Sequence, residues 1–269
     1  MTMKDMRVTG RVHREKCRIS CLIFTVWLSL LGICGDVAGQ RPPPAEEKPR
    51  KAAILITSLG PPPSQSQVAA PRYGVTRNDI TAIQRTVPDI SFIVPQRSIE
   101  LDARYLERSV KAEIVGTVPE RAGLGTISLE RGRFLLKKDV ESRNNVAVIS
   151  GPVARQLFSS ENPLGRSLKV GDHYFLIVGV IATPQNVEPT QEISAASSVY
   201  VPITTMRSRF GDRVIKRETG TFRMESYEIS QVRIVLKEKA DLNRIVQAIK
   251  QVLGAAHEQK DYLVKLLTP

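Results

Sequence analysis

Apolar and polar positions along the chain change period several times, and each change marks an element. Residues 52–59 form a compact apolar stretch that predicts a first strand. Thr76 with Asp79 three residues on has capping-box spacing, and Ile80, Ile83 and Val87 then recur at helical spacing until Pro88, predicting one short helix. Residues 91–95, 98–105 and 110–118 read as separate strands with turn chemistry between them. Residues 146–149 are a short apolar strand, after which Ser150 is placed to cap a helix from Gly151 with Val153, Leu157 and Phe158 on one face. Residues 168–170 and 174–182, joined by a Gly-Asp turn at Gly171, predict a hairpin. The run 175–181 is apolar throughout, which predicts a strand buried on both faces. Residues 199–203 and 228–237 predict two more strands. Asp241 then caps an amphipathic helix of Leu242, Ile245, Val246, Ile249, Val252 and Leu253 that ends near Gly254, and residues 263–267 predict a last strand.

Strand–helix–strand near the start and again near the end, around a β-rich middle, predicts an α+β fold of two lobes. One lobe is built from both ends, at about 52–115 and 226–268, and the other is inserted at about 116–225. Three stretches are too polar or proline-rich to add to a core: residues 40–51, which read as a tether, 60–72, and 183–196.

The N-terminus reads as an address. Lys4, Arg7, Arg11, Arg14, Lys16 and Arg18 precede an uncharged apolar run at 19–34, whose length lies between a signal-peptide core and a membrane span. Small residues at Val37-Ala38-Gly39 suit signal peptidase, so residues 1–39 are a signal peptide or a membrane anchor. A lipoprotein site at Cys34 fits poorly because Ile33 stands where a small residue is wanted. In both cases the positive-inside rule puts Gln40 onward outside the cytoplasm. All three cysteines, Cys17, Cys21 and Cys34, lie before residue 35, so the fold beyond has neither disulfides nor thiolate metal sites.

The charge of +12 and pI near 9.8 invite a nucleic-acid reading. That reading needs clustered cations, whereas Arg131, Arg133, Lys137 and Lys138 alternate with Glu130, Asp139 and Glu141 as surface ion pairs would. No nucleic-acid partner is expected, and a basic face meeting an acidic partner or anionic lipid fits better. His13, His173 and His257 have no second ligand at metal spacing, and Asp172-His173 falls in the hairpin turn. No G-x-S-x-G elbow, H-E-x-x-H helix or phosphate loop occurs, and Gly123-Leu124-Gly125 is a loop fragment. Ser150 and Ser159 lack a nearby base and read as helix caps. The expectation is a non-enzyme with no catalytic residue, cofactor or metal.

The ordered run from 129 to 181 carries a resemblance. L-E-R-G-R-F at Leu129 with Asp139 downstream, V-A-V-I-S at Val146, A-R-Q-L-F at Ala154, P-L-G-R-S-L-K-V at Pro163, Y-F-L-I-V-G-V-I at Tyr174 and V-Y-V-P-I at Val199 follow one another. Together they resemble the periplasmic core domain of MacB-type ABC transporter permeases, a group that includes lipoprotein-releasing and FtsX-like permeases. The closing helix followed by His257 and Asp261 resembles the end of that domain. Within the run, Gly132 and Gly165 occupy tight turns that call for a positive φ, and Gly179 inside an apolar strand marks a bulge or a close backbone approach. Arg133 and Asp139 complete the motif as structural positions.

The resemblance implies an extracytoplasmic domain, periplasmic or anchored in the inner membrane, that docks a partner or couples conformational change. The implied partners are an ABC permease and its ATPase, or a periplasmic adaptor protein. Such a permease continues into about three further membrane helices, which the sequence lacks before Pro269. The expectation is therefore a split or truncated permease if 19–34 is an anchor, and a free-standing domain if it is cleaved. The competing class is a free-standing module that binds a lipid, lipoprotein or peptide between its lobes. Exposed apolar surface between the lobes would favour capture; a polar junction with apolar patches at the rim would favour docking. Oligomeric state is open.

Overall fold

A computed structural model describes residues 52–60, 73–182, 197–218, 221–238 and 240–267. The predicted signal peptide or anchor, the 40–51 tether and most of the 60–72 and 183–196 loops lie outside these residues.

The first lobe is a sheet with two helices packed on one face. Its strands are β1 (Ala53–Ser58), the first half of β2 (Ile90–Tyr105), β11 (Gln231–Leu236) and β12 (Tyr262–Leu267). They lie in the order β12–β1–β11–β2, antiparallel throughout. With α1 (Arg77–Thr86) between β1 and β2 and α5 (Leu242–Ala256) between β11 and β12, this is the β-α-β-β-α-β arrangement. Alternation in the strands aims Ile54, Ile56, Val232 and Ile234 at Ile83, Ile245, Ile249 and Leu253 of the helices, and each is at most 2% exposed. Each such side chain contributes about 1.5–3 kcal/mol of burial. Both predicted caps are present. The Thr76 hydroxyl accepts from the Asp79 amide while the Asp79 carboxylate accepts from the Thr76 amide, and Asp241 accepts from the Arg244 amide. Helix α5 runs two residues beyond the predicted stop at Gly254 and is capped at His257.

The inserted lobe contains β3 (Arg108–Thr117), β4 (Leu129–Gly132), α2 (Lys137–Glu141), β5 (Val146–Ser150), α3 (Gly151–Phe158), β6 (Ser167–Val170), β7 (His173–Ile181), β8 (Ser198–Pro202) and α4 (Ile203–Phe210). A further hairpin, β9 (Arg213–Glu218) with β10 (Thr221–Ser226), leads back to β11. From β2 the strands follow the order β3–β8–β5–β7, with β4 at the far edge. Strand β6 pairs with both β7 and the end of β2, so the sheet curls back on itself around a second apolar cluster. Val153, Leu157 and Phe158 of α3 close that cluster, as their spacing predicts.

Four local expectations are corrected. First, residues 91–95 and 98–105 are one 16-residue strand, β2, which passes from pairing with β11 to pairing with β3 at Gln96–Arg97. Pro95 precedes this changeover and its carbonyl accepts from Thr117 Oγ1 at 3.1 Å, so the proline does not end the strand. The apolar clusters divide at the same place: Ile93 packs with the first lobe, while Ile99, Ala103, Val110 and Ala112 pack with the inserted one.

Second, β7 is not buried on both faces. Tyr174 and Leu176 are 60% and 47% exposed, and only the end from Gly179 to Ile181 is enclosed. Third, Ser150 stands at the start of α3, but its hydroxyl accepts from the Ser198 amide at 3.0 Å, tying β8 to β5 instead of capping the helix. Fourth, Asp139 is no surface ion pair; it is 3% exposed.

Candidate functional site

The motif residues sort into two places on either side of β7. Gly132 has the expected positive φ of 74°, and a Cβ there would come within 2.3 Å of the Val178 carbonyl oxygen. A Cβ on Gly179 would meet the Arg133 carbonyl oxygen at 2.1 Å, in agreement with a close backbone approach. The two glycines thus let the backbone of β4 lie against β7, and the Arg133 amide donates to the Val178 carbonyl at 2.9 Å. Arg133 Nη1 then donates to Asp139 at 2.7 Å, and the same carboxylate accepts from the Leu136 amide at 3.0 Å and Asn144 Nδ2 at 3.1 Å. Burial alone would raise the Asp139 pKa. The bonds from Arg133, Asn144 and Leu136, with the charge of Arg133, outweigh it and hold the carboxyl below its ordinary value. This knot pins α2. Gly165 is apart, in a turn at φ 76° whose amide donates to the Ile177 carbonyl at 2.9 Å.

The site that sequence reading missed is the junction between the lobes. Arg97, at the changeover on β2, is 2% exposed. One of its amino groups, Nη1, donates to the Gly211 carbonyl and lies 3.9 Å from Asp212, and the guanidinium stands 5.4 Å over the Tyr227 ring. Its Nε and Nη2 have no hydrogen-bond partner. Burial lowers the Arg97 pKa, against the opposing pull of Tyr227 and Asp212. Asp212 also takes both amino groups of Arg77 on α1, at 2.6 and 3.2 Å. Glu228 accepts from the Arg77 amide at 3.0 Å and faces its Nη1 at 2.8 Å. The Tyr227 hydroxyl donates to the Ser98 carbonyl at 2.9 Å.

Beside the junction Arg121 Nη1 donates to Gln96 at 2.8 Å and the guanidinium lies 5.5 Å over Tyr200. Desolvation, then repulsion from Arg121, lowers the pKa of half-buried Arg233. The lobes therefore meet through arginines, two carboxylates and aromatic rings, and through Ile203 of α4, which packs against the apolar cluster of the first lobe. No local pattern signals this, since its members come from residues 77, 97, 121, 212, 227 and 228.

One further polar cluster lies in the first lobe. The His257 side chain, 9% exposed, has Nε2 at 3.1 Å from Asp79 and Nδ1 at 2.8 Å from Asp261. The carboxylates sit on opposite ring nitrogens, so the three do not converge on a metal; they join the start of α1 to the end of α5 and β12.

A family model for the MacB-like periplasmic core domain matches residues 40–252 of this chain. The chain belongs to that family. The macrolide export ATP-binding/permease protein MacB of Pasteurella multocida is 28% identical over 182 residues, which is 67% of this chain and 25% of that protein. The uncharacterized ABC transporter permease YknZ of Bacillus subtilis is 28% identical over 143 residues, 53% of this chain and 35% of that one. The chain thus spans about a quarter to a third of the length of these relatives.

Among solved structures, the periplasmic region of MacB from Actinobacillus actinomycetemcomitans superimposes with a TM-score of 0.60 at 17% identity, covering 79% of this chain and 87% of that one. The extracellular domain of the transporter YknZ from Gram-positive bacteria gives 0.56 at 20% identity, covering 79% and 99%. These likenesses establish the two-lobed α+β fold. As a MacB-like periplasmic core domain, the described part of the chain lies outside the cytoplasm.

Proposed function

We propose that this MacB-like domain is a non-catalytic docking and coupling element of an ABC-type export or lipoprotein-release permease. The observation that carries the reading is the path of the chain. Ala53 pairs with Leu267, so the described chain enters and leaves on adjacent strands at one end of the first lobe. Strand β2 starts level with that end, where Phe92 pairs with Val235 and Val235 with Ala53, and continues unbroken into the inserted lobe. A displacement applied at the paired ends is carried by one continuous strand to the far lobe.

The charged junction supports coupling over capture. Arg77, Arg97, Asp212 and Glu228 fill it with charged groups, while the exposed apolar residues Leu106, Leu129, Leu136, Tyr174 and Leu176 lie on the outside of the inserted lobe. A module that captured a lipid or lipopeptide between its lobes would show the reverse. The partners this reading requires are a permease and its ATPase, or an adaptor protein. Co-purification of the full-length chain from detergent extracts tests it: the expected result is a stable permease, ATPase or adaptor partner, and recovery of none of them overturns the reading.

A further inference from the structure

At the end of β2 farthest from the paired chain ends, the inserted lobe carries a groove of about 640 Å³ lined by Arg104, Arg166, Lys169, Leu106 and Tyr174 among others. Three features make it unlike the rest of the surface. Arg104 and Lys169 lie directly opposite each other in the β2–β6 pairing, a like-charge cross-strand pair that is destabilising by itself. Asp102 meets Arg104 at 3.3 Å from an exposed position, Glu107 lies in the adjoining turn, and no carboxylate lines the groove itself. Next to Lys169, Tyr174 is its partner across β6–β7, and the ammonium stands 5.9 Å from a ring that is 60% exposed.

The third feature is Leu106. It is 81% exposed at the tip of the β2–β3 hairpin with φ 51°, and it is the first of two turn residues between Tyr105 and Arg108. A positive φ at the first position alone is the type II′ pattern, which glycine normally fills. A leucine there is held in water at a conformational cost, as strained residues at contact sites are.

We propose that this groove docks an extended acidic segment of a partner protein, with Leu106 and Tyr174 as apolar anchors and Arg104, Arg166 and Lys169 as the cations it neutralises. The proposal rests on the docking reading above. The occupant is a protein and not a lipid surface because of position. Strand β2 spans up to roughly 50 Å at about 3.3 Å per residue, and the groove is at the end away from Ala53 and Leu267, where the described chain enters and leaves. The occupant is acidic because the lining is basic, and it carries apolar side chains because the two large exposed ones would otherwise gain nothing.

Photo-crosslinking in cells tests this with benzoylphenylalanine in place of Leu106 in the full-length chain, the adduct being mapped by mass spectrometry. The expected adduct is on one protein, at a segment rich in Asp and Glu. Arg166→Glu with Lys169→Glu removes it, while Arg166→Lys with Lys169→Arg retains it. A purified-protein arm uses a fluorescein-labelled Glu-Glu-Leu-Glu-Phe-Glu peptide and its Lys-for-Glu counterpart. The charge-reversed variant binds the acidic peptide about tenfold more weakly or worse, the sum of two lost rim ion pairs and new repulsion.

An adduct on lipid, on a second copy of this chain or on a neutral or basic segment overturns the proposal, as does an adduct that survives charge reversal. Because the two cations are on the surface, an unchanged Tm separates lost docking from lost folding. A permease that co-purifies while the crosslink is absent sinks the groove and leaves the docking reading standing. An acidic-segment adduct without any permease, ATPase or adaptor protein does the opposite.

Discussion

Arg77 on α1 and Asp212 after α4 are 135 positions apart in sequence and meet in a two-armed ion pair of 2.6 and 3.2 Å, placed where Asp212 also faces buried Arg97. Arg207 of α4 also lies 3.8 Å from it, so one carboxylate serves three arginines drawn from both lobes. Removing it takes the anion from all three cations, whereas removing Arg77 leaves Asp212 beside Arg97 and Arg207. Asp212→Ala is expected to destabilise by about 2–3 kcal/mol and Arg77→Ala by about 1–2 kcal/mol, read from urea unfolding. Equal losses would contradict a shared carboxylate.

Arg97→Met tests the junction from the other side. The substitution removes a charge whose Nε and Nη2 are unpartnered and keeps much of the side-chain volume. The expected cost is within about 1 kcal/mol, far below that of truncating the residue to alanine, and the lobes keep their fold by circular dichroism.

Asp139 gives the molecule an acid-sensitive point. Its pKa is lower folded than unfolded, so its stabilisation is full above the unfolded carboxyl value and is lost as pH falls through the folded one. Asp139→Asn is expected to be less stable than the wild type at pH 7 and to converge with it in strongly acid solution. Urea unfolding at a series of pH values below 5 measures this, and a gap that stays constant would refute the assignment.

Two glycine substitutions should differ in sign. Gly179→Ala places a methyl 2.1 Å from the backbone oxygen of Arg133, which cannot swing aside, and is expected to cost about 2–4 kcal/mol and loosen β4 from β7. Gly254→Ala, in α5 with open space around it, is expected to stabilise by about 0.5–1 kcal/mol. Thermal melts of the pair check both.

The His257 cluster is expected to hold the ends of the first lobe together. His257→Ala leaves Asp79 and Asp261 buried and facing an empty space, at about 2–3 kcal/mol, with increased hydrogen exchange in β12 and the first turn of α1. Exchange confined to the inserted lobe would show that the cluster has no such role.

The sequence by itself determined whatever rests on neighbours a few positions apart. Thr76 and Asp79 meet three residues apart, Asp241 caps the turn that follows it, and Gly132 and Gly165 take the left-handed conformations of tight turns. Such contacts form wherever the chain goes, so their spacing predicts them, and the ordered run from 129 to 181 pointed to the family for the same reason.

Tertiary structure alone decided what depends on distant strands. Leu176 lies in an unbroken apolar run yet is 47% exposed, because β6 and β5 flank it without covering that face. Asp139 reads as one charge in a mixed surface series and is buried, because Asn144 and Arg133 fold over it. Arg97, the junction carboxylates and the opposed Arg104 and Lys169 owe their roles to a single strand changing partners. Burial and electrostatic potential are sums over everything nearby in space, and a linear pattern records only what is nearby along the chain.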